Sequence, residues 1–152
     1  MVYVTDSYDF YSFQARAGHR ERPQNFTAPF IRYACEQSLR RLKTDYIDLY
    51  QLHNPRLEHI RSDEIFATLE DMVREGKIRY YGVALGPDLG WLEEGVAAMQ
   101  ERRVPSVQII YSLLEPDPGR AFFPAAKESG SGLLARVPPA SAVLTAKFVE
   151  AP

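Results

Sequence analysis

The sequence predicts an α/β fold built on parallel β-strands, and three observations support this. Short segments rich in Val, Ile, Tyr and Leu alternate with segments whose apolar residues recur at helical spacing. The alternation starts with a strand and continues through four helix–strand repeats, which is typical of parallel strands joined by helical crossovers. No internal repeat, low-complexity tract or linker interrupts it, so residues 1–152 are expected to form a single domain.

Five segments have the length and composition of strands. Each is short, rich in apolar or aromatic residues, and bounded by polar or turn-forming residues. The first is followed by a polar stretch, Asp6–Asn25, that is expected to be a long loop, and Pro138-Pro139 ends the last. The predicted strands are Met1–Thr5, Tyr46–Leu52, Tyr80–Leu85, Val107–Tyr111 and Leu133–Val137.

Four segments between these strands are predicted helices. Thr27 and Ser62 stand where a capping residue is expected, and Gly76 stands where the second helix should end. The first helix carries one apolar stripe, which comprises Ile31, Ala34, Cys35, Leu39 and Leu42. The helices are expected to run from near Pro29 to Leu42, from Ser62 to Gly76, from near Leu89 to Arg103 and from Ala121 to Ser129.

A parallel sheet can be open or closed into a barrel, and periodicity does not decide between them. Two features favour a barrel. No glycine-rich phosphate loop follows any strand, because Gly86–Gly90 has the wrong spacing and is predicted to be a turn. In addition, polar residues gather where strands end, which is where barrels carry their functional residues. These residues are Gln51, His53, Gln108 and Arg136.

Composition excludes several classes of function. The net charge of -2 and pI near 5.9 give no general reason to bind nucleic acid or anionic membrane. The single cysteine, Cys35, excludes an internal disulfide and is expected to be a small buried residue of a helix. No membrane span or secretory leader is evident, so a cytoplasmic location is expected. The pairs Arg40-Arg41 and Arg102-Arg103 are predicted to lie on solvated faces.

His53 is the main candidate for chemistry. Strand alternation places it on the same side as Ile47, Leu49 and Gln51. A histidine at a strand end can donate a hydrogen bond to a carbonyl oxygen or take part in acid–base catalysis, and a structural histidine is the alternative interpretation.

Other polar residues are expected to have structural roles. His19 and His59 are predicted to be exposed loop residues, and no residues have the spacing of a metal site. Asp48 is expected to anchor a backbone or arginine group. Packing rather than catalysis is expected for Tyr80, Tyr81 and Tyr111.

Four segments together resemble the aldo-keto reductase family. They are Ser38–Pro55, Leu69–Gly82, Val107–Tyr111 and Gly132–Phe148, and the distances between them also fit. The resemblance implies a partial (β/α)8 TIM barrel with about five parallel strands and four intervening helices. It further implies NADPH as cofactor and a small-molecule aldehyde or ketone as substrate.

The resemblance also implies roles for three residues. His53 corresponds to the histidine that orients the carbonyl, and Gln108 to the glutamine that hydrogen-bonds the nicotinamide carboxamide. Arg136 stands where an aromatic residue often stacks on the nicotinamide. Ala84-Leu85 replaces the Ser-Asn pair of many members.

The departures from the family pattern predict an incomplete catalyst. Asp6 stands where the family has its catalytic lysine, and the catalytic Asp and Tyr would precede Met1. The chain is therefore expected to be a truncated or decayed reductase, or one piece of a longer reading frame. The alternative is a non-catalytic half-barrel that acts as an interaction or scaffold module. Homo-oligomerisation through open barrel edges is a further expectation.

Overall fold

The computed structural model describes residues 2–4, 24–86, 92–140 and 142–145. Within them lie five strands, β1 (Val2–Val4), β2 (Ile47–His53), β3 (Ile78–Ala84), β4 (Ser106–Ile110) and β5 (Gly132–Arg136). They form one sheet in the order β1-β2-β3-β4-β5, and each neighbouring pair is parallel. The predicted parallel α/β architecture with about five strands is confirmed.

In the part of the chain that the structure describes, five helices connect the strands: α1 (Ala28–Leu42), α2 (Leu57–Ile60), α3 (Asp63–Arg74), α4 (Leu92–Gln100) and α5 (Asp117–Ser129). The single-turn α2 was not predicted. The predicted start of the last helix was wrong, because it begins four residues earlier, with a proline in its first turn where no backbone N–H is needed. Within these described ranges, no helix is long and apolar enough to cross a bilayer.

Helix α1 buries the predicted apolar stripe only in part. Ile31, Cys35 and Leu39 are buried, whereas Leu42 in the last turn is 58% exposed. Thr27 does occupy the N-cap position, but its side chain bonds to Asn25 rather than to a helix amide. Burial of the stripe therefore contributes more to the placement of α1 than capping does.

The two faces of the sheet are distinguished by contacts to the helices. The Tyr50 hydroxyl donates to the Ile31 carbonyl of α1 at 3.1 Å, and the Tyr81 ring packs edge-on against Phe66 of α3. Every second side chain of these strands, counted from Tyr50 and Tyr81, therefore faces the helices. The register places the alternate residues on the opposite face; they are Gln51, His53, Gly82, Ala84, Ser106 and Gln108.

Tyr50→Phe is expected to lower the free energy of unfolding by about 1 kcal/mol, because it removes one buried hydrogen bond and little volume. Tyr50 is fully buried, and burial raises the pKa of its phenol, so that the hydroxyl remains a donor. Urea unfolding of this variant, compared with Tyr33→Phe at a 49% exposed tyrosine of α1, checks the prediction. Equal stability of the two variants would contradict it.

Arg102, just after α4, corrects the prediction of a solvated arginine pair. Its Nε donates to the Ile60 carbonyl at 2.7 Å, and its Nη1 donates to Asp63 at 2.7 Å. Its guanidinium carbon also lies 5.0 Å from the centre of the Phe66 ring. Arg102 therefore joins three helices, because its planar group makes directed contacts that compensate for partial burial. Arg40, Arg41 and Arg103 are exposed as predicted.

Candidate functional site

One row of residues crosses the carboxyl ends of β2, β3 and β4 on the face opposite the helices. The register pairs His53 with Ala84, and Ala84 with Gln108. Neighbouring strands lie about 4.8 Å apart, so the backbones of His53 and Gln108 are roughly 10 Å apart across the sheet. His53 is half-buried and Gln108 is 6% exposed. The sheet thus brings together two of the three predicted site residues.

Arg136, the third predicted site residue, lies one pair further along the strands. It pairs with Ile110 at the end of β5, and its Nη1 donates to the Leu85 carbonyl at 3.4 Å. The side chain therefore reaches back across β4 toward the end of β3. This adds a positive charge and a planar group above the row of His53 and Gln108.

A second polar row lies directly below the first. Gln51 pairs with Gly82, and Gly82 with Ser106. The Gln51 Nε2 lies 3.5 Å from Ser106 Oγ and donates to the Val83 carbonyl at 3.3 Å. A Cβ at Gly82 would lie 2.2 Å from the Ser106 carbonyl oxygen, so only glycine fits between these strands. The sequence indicated this only through a glycine inside a strand.

The chain leaves β2 by a sharp turn immediately after His53. Asn54 has a left-handed backbone, with φ 55°, and its N–H donates to the Ala84 carbonyl at 2.7 Å. The Gln24 Nε2 donates to the His53 carbonyl at 3.2 Å and to the Asn54 carbonyl at 2.7 Å. The role of Gln24 could not be predicted from the sequence, because its contacts are with residues 29 and 30 positions away.

His59 is not the exposed loop residue that was predicted. It lies in α2 with only 23% of its side chain exposed, and its ring centre is 4.7 Å from that of Phe26. Its Nδ1 accepts the Arg56 N–H at 3.0 Å. Burial lowers the pKa of His59, with Glu58 opposing the shift, and a neutral ring is what an accepting Nδ1 requires. His19 lies outside the described residues.

Two residues have the structural roles that were predicted. Cys35 is 1% exposed, and burial raises its pKa to about 11, so it is a thiol rather than a nucleophilic thiolate. Asp48 accepts a hydrogen bond from Arg79 at 2.8 Å on the protein surface. Neither residue belongs to the candidate site.

The three tyrosines considered for packing differ in the structure. Tyr81 is half-buried against α3, and Tyr111 packs edge-on against Phe123 with ring centres 5.4 Å apart. For Tyr80 the prediction was wrong, because it is 60% exposed and the Arg79 guanidinium stacks on Tyr46 instead.

Comparison with known proteins identifies the family. The model of the Aldo/keto reductase family matches residues 14–152, which is nearly the whole chain. The chain belongs to the aldo-keto reductase family. It is 37% identical over 122 residues to the uncharacterized oxidoreductase YqkF of Bacillus subtilis. That match covers 80% of this chain but 38% of YqkF, so the chain spans well under half the length of this relative.

Solved aldo-keto reductases share the fold. The holo form of the aldo-keto reductase AKR11C1 from Bacillus halodurans has a TM-score of 0.68 and 33% identity, and the match covers 81% of this chain and 41% of that one. An aldo/keto reductase from Klebsiella pneumoniae in complex with NADP and acetate has a TM-score of 0.61 and 29% identity, covering 77% and 40% of the two chains. The five strands described above therefore form part of a TIM barrel.

Proposed function

We propose that this chain provides the nicotinamide- and carbonyl-binding face of an NADPH-dependent aldo-keto reductase, and that residues 1–152 act as a single partial-barrel domain. The observation that carries the proposal is the strand register, which aligns His53, Ala84 and Gln108 on one face. The carboxyl ends of barrel strands are where such enzymes bind their ligands. A relative in complex with NADP supports the choice of cofactor.

The chemistry of Gln108 fits the carboxamide of a nicotinamide. An amide side chain offers both a donor and an acceptor in one plane, so it can pair with another amide. Gln108 is almost fully buried on β4, which has a neighbouring strand on each side, and this limits its conformational freedom. Its neighbour in the row, Ala84, is small and leaves the space between Gln108 and His53 free of a long side chain.

His53 and Arg136 complete the proposed face. The imidazole of His53 would donate a hydrogen bond to the oxygen of a small carbonyl substrate and so orient it. The planar guanidinium of Arg136 would stack on the nicotinamide ring, as guanidinium groups stack on aromatic rings elsewhere. When bound, NADPH would supply the hydride that reduces the carbonyl carbon.

We expect turnover by this chain alone to be slow because of Asp6. It stands where the family carries a lysine, so the chain lacks the cation that in the family lowers the pKa of the catalytic tyrosine. General acid–base catalysis contributes about 100- to 10,000-fold, which is the loss we expect. We therefore propose binding and orientation as the principal activities of the chain by itself.

A non-catalytic scaffold is the second candidate function. The turn after β4 favours it, because the backbones of Ser112 and Glu115 are paired with each other and leave Leu113 and Leu114 exposed at 81% and 55%. Exposed apolar residues at the barrel rim could instead bind a protein partner, including a second copy of this chain. Cofactor binding separates the two candidates.

A titration with NADPH tests the proposal. We expect saturable quenching of the single tryptophan, Trp91, with binding weakened about tenfold by Gln108→Ala, because two hydrogen bonds of about 1 kcal/mol each are lost in part to water. Gln37→Ala, on the half-exposed side of α1, is the matched control and should bind as the parent protein does. Absence of any saturable response would favour the scaffold.

A further inference from the structure

We propose that Gln24 is a positioning residue for His53: its side-chain amide clamps the two backbone carbonyls at the end of β2 and thereby fixes the direction of the imidazole. This inference rests on the proposed function, in which His53 orients the carbonyl substrate. Gln24 lies before α1 and well away from the row of site residues along the chain, so its role follows from the fold and not from any motif.

The clamp acts next to the described β1–β2 pairs. The last of these pairs is Val4 opposite Leu52, one residue before His53. The Asn54 N–H points to β3, where it meets the Ala84 carbonyl. The His53 carbonyl belongs to the same trans peptide group and points the opposite way, toward the β1 side. The Gln24 amide donates to this carbonyl and to the next one. One side-chain amide therefore donates to both carbonyls at the end of β2.

The backbone at this point needs an external support. Asn54 is left-handed, a conformation that asparagine tolerates better than most residues but that remains less stable than the right-handed one. The Oδ1 of Asn54 is buried with no hydrogen-bond partner among the described residues, so that atom does not cap the turn. Two hydrogen bonds from one amide group fix the peptide on the carboxyl side of His53, on which the orientation of its side chain depends.

Gln24 is itself held in place from two directions. The Asn25 Oδ1 accepts hydrogen bonds from the Thr27 N–H at 3.1 Å and from the Thr27 hydroxyl at 2.8 Å, which joins the segment to the start of α1. Phe26 is 5% exposed and packs on the His59 ring. His59 in turn accepts the Arg56 N–H. The segments on both sides of the strand exit thus support the clamp.

Amide exchange and histidine NMR of the full chain without cofactor test the proposal. Gln24→Met keeps the length of the side chain and removes its N–H groups. We expect exchange of the Asn54 amide to become about tenfold faster, as the loss of roughly two hydrogen bonds implies, and the His53 imidazole resonances and titration curve to shift. Gln24→Lys restores a donor and should recover most of the parent behaviour. Gln37→Met on α1 is the matched control and should change neither measurement.

The outcomes are decisive in both directions. Unchanged Asn54 exchange and His53 resonances in Gln24→Met would overturn the proposal, and so would a uniform rise in exchange over the whole sheet, which would indicate a general loss of stability. If Gln24→Met does not fold, Gln24→Asn keeps the amide with a shorter reach and should give the same local changes. NADPH binding is measured only afterwards. If Gln24→Met gives the expected local changes but the parent chain binds no NADPH, the proposed function is refuted and the positioning role of Gln24 stands.

Discussion

Gly82→Ala is expected to destabilise the protein by about 3 kcal/mol or more, or to prevent folding. The added Cβ would lie 2.2 Å from the Ser106 carbonyl oxygen and 2.9 Å from its carbon, and both are backbone atoms of the adjacent strand. A flexible side chain could move aside, but the β3–β4 backbones cannot separate without losing the pairing of Val83 with Val107 and of Ala84 with Gln108. The substitution would therefore displace the row that carries the candidate site.

Gly132→Ala is the matched control for this prediction. Gly132 pairs with the same residue, Ser106, from the other side, but a Cβ there would meet only the Pro105 carbonyl oxygen, at 3.5 Å. Its backbone is not left-handed, so alanine should be tolerated or slightly stabilising. Thermal and urea unfolding of both variants provide the measurement, and similar stabilities for the two would contradict the close approach at Gly82.

Arg102→Ala is expected to lower the free energy of unfolding by about 2 kcal/mol, chiefly through loss of a charge-assisted hydrogen bond to a buried carbonyl. The Ile60 side chain is fully buried and only 20% of the Arg102 side chain is exposed. The ion pair with Asp63 should contribute little of this, because the Asp63 side chain is 94% exposed. Arg102→Met, which keeps most of the aliphatic part of the side chain and removes the guanidinium, should fall between the parent protein and the alanine variant.

A second arginine lies in the same region, where α2 meets the end of α4, and serves as the control. Arg61 makes two hydrogen bonds to Glu101, and both side chains are about half-exposed. Arg61→Ala should therefore leave stability nearly unchanged. Urea unfolding of the three variants checks the order, and an equal loss for Arg61→Ala and Arg102→Ala would show that position in this region, not the backbone contact, determines the effect.

The elements could be predicted from the sequence because their signals are local. Strands and helices were found from the spacing of apolar residues, and all five predicted strands shift by no more than two residues at either end in the structure. The relation between His53 and Gln108 also followed, since strand ends of a parallel sheet meet at one edge. In these segments the spacing of apolar residues predicts the strands, and the ends of the strands predict where the site residues lie.

The remaining features depend on contacts between distant segments. In the sequence, Gln24 is one polar residue of a predicted loop. Only the structure shows that it lies beside the end of β2. Arg102 resembles its exposed neighbour Arg103 in sequence, and only the neighbouring helices distinguish the two. The turn of α2 is too short to show a period, so its half-buried histidine was assigned to an exposed loop. No pattern within a window of residues contains this information.

A sheet whose strands follow the order of the chain has a consequence for how the protein forms. Each strand docks on the one made just before it, so a nascent chain can add one strand–helix unit at a time without waiting for distant residues. Every partly synthesised stage would present one new edge, always on the same side, to the next unit. At each stage of synthesis, the sheet edge most exposed to aggregation would therefore be that of the strand added last.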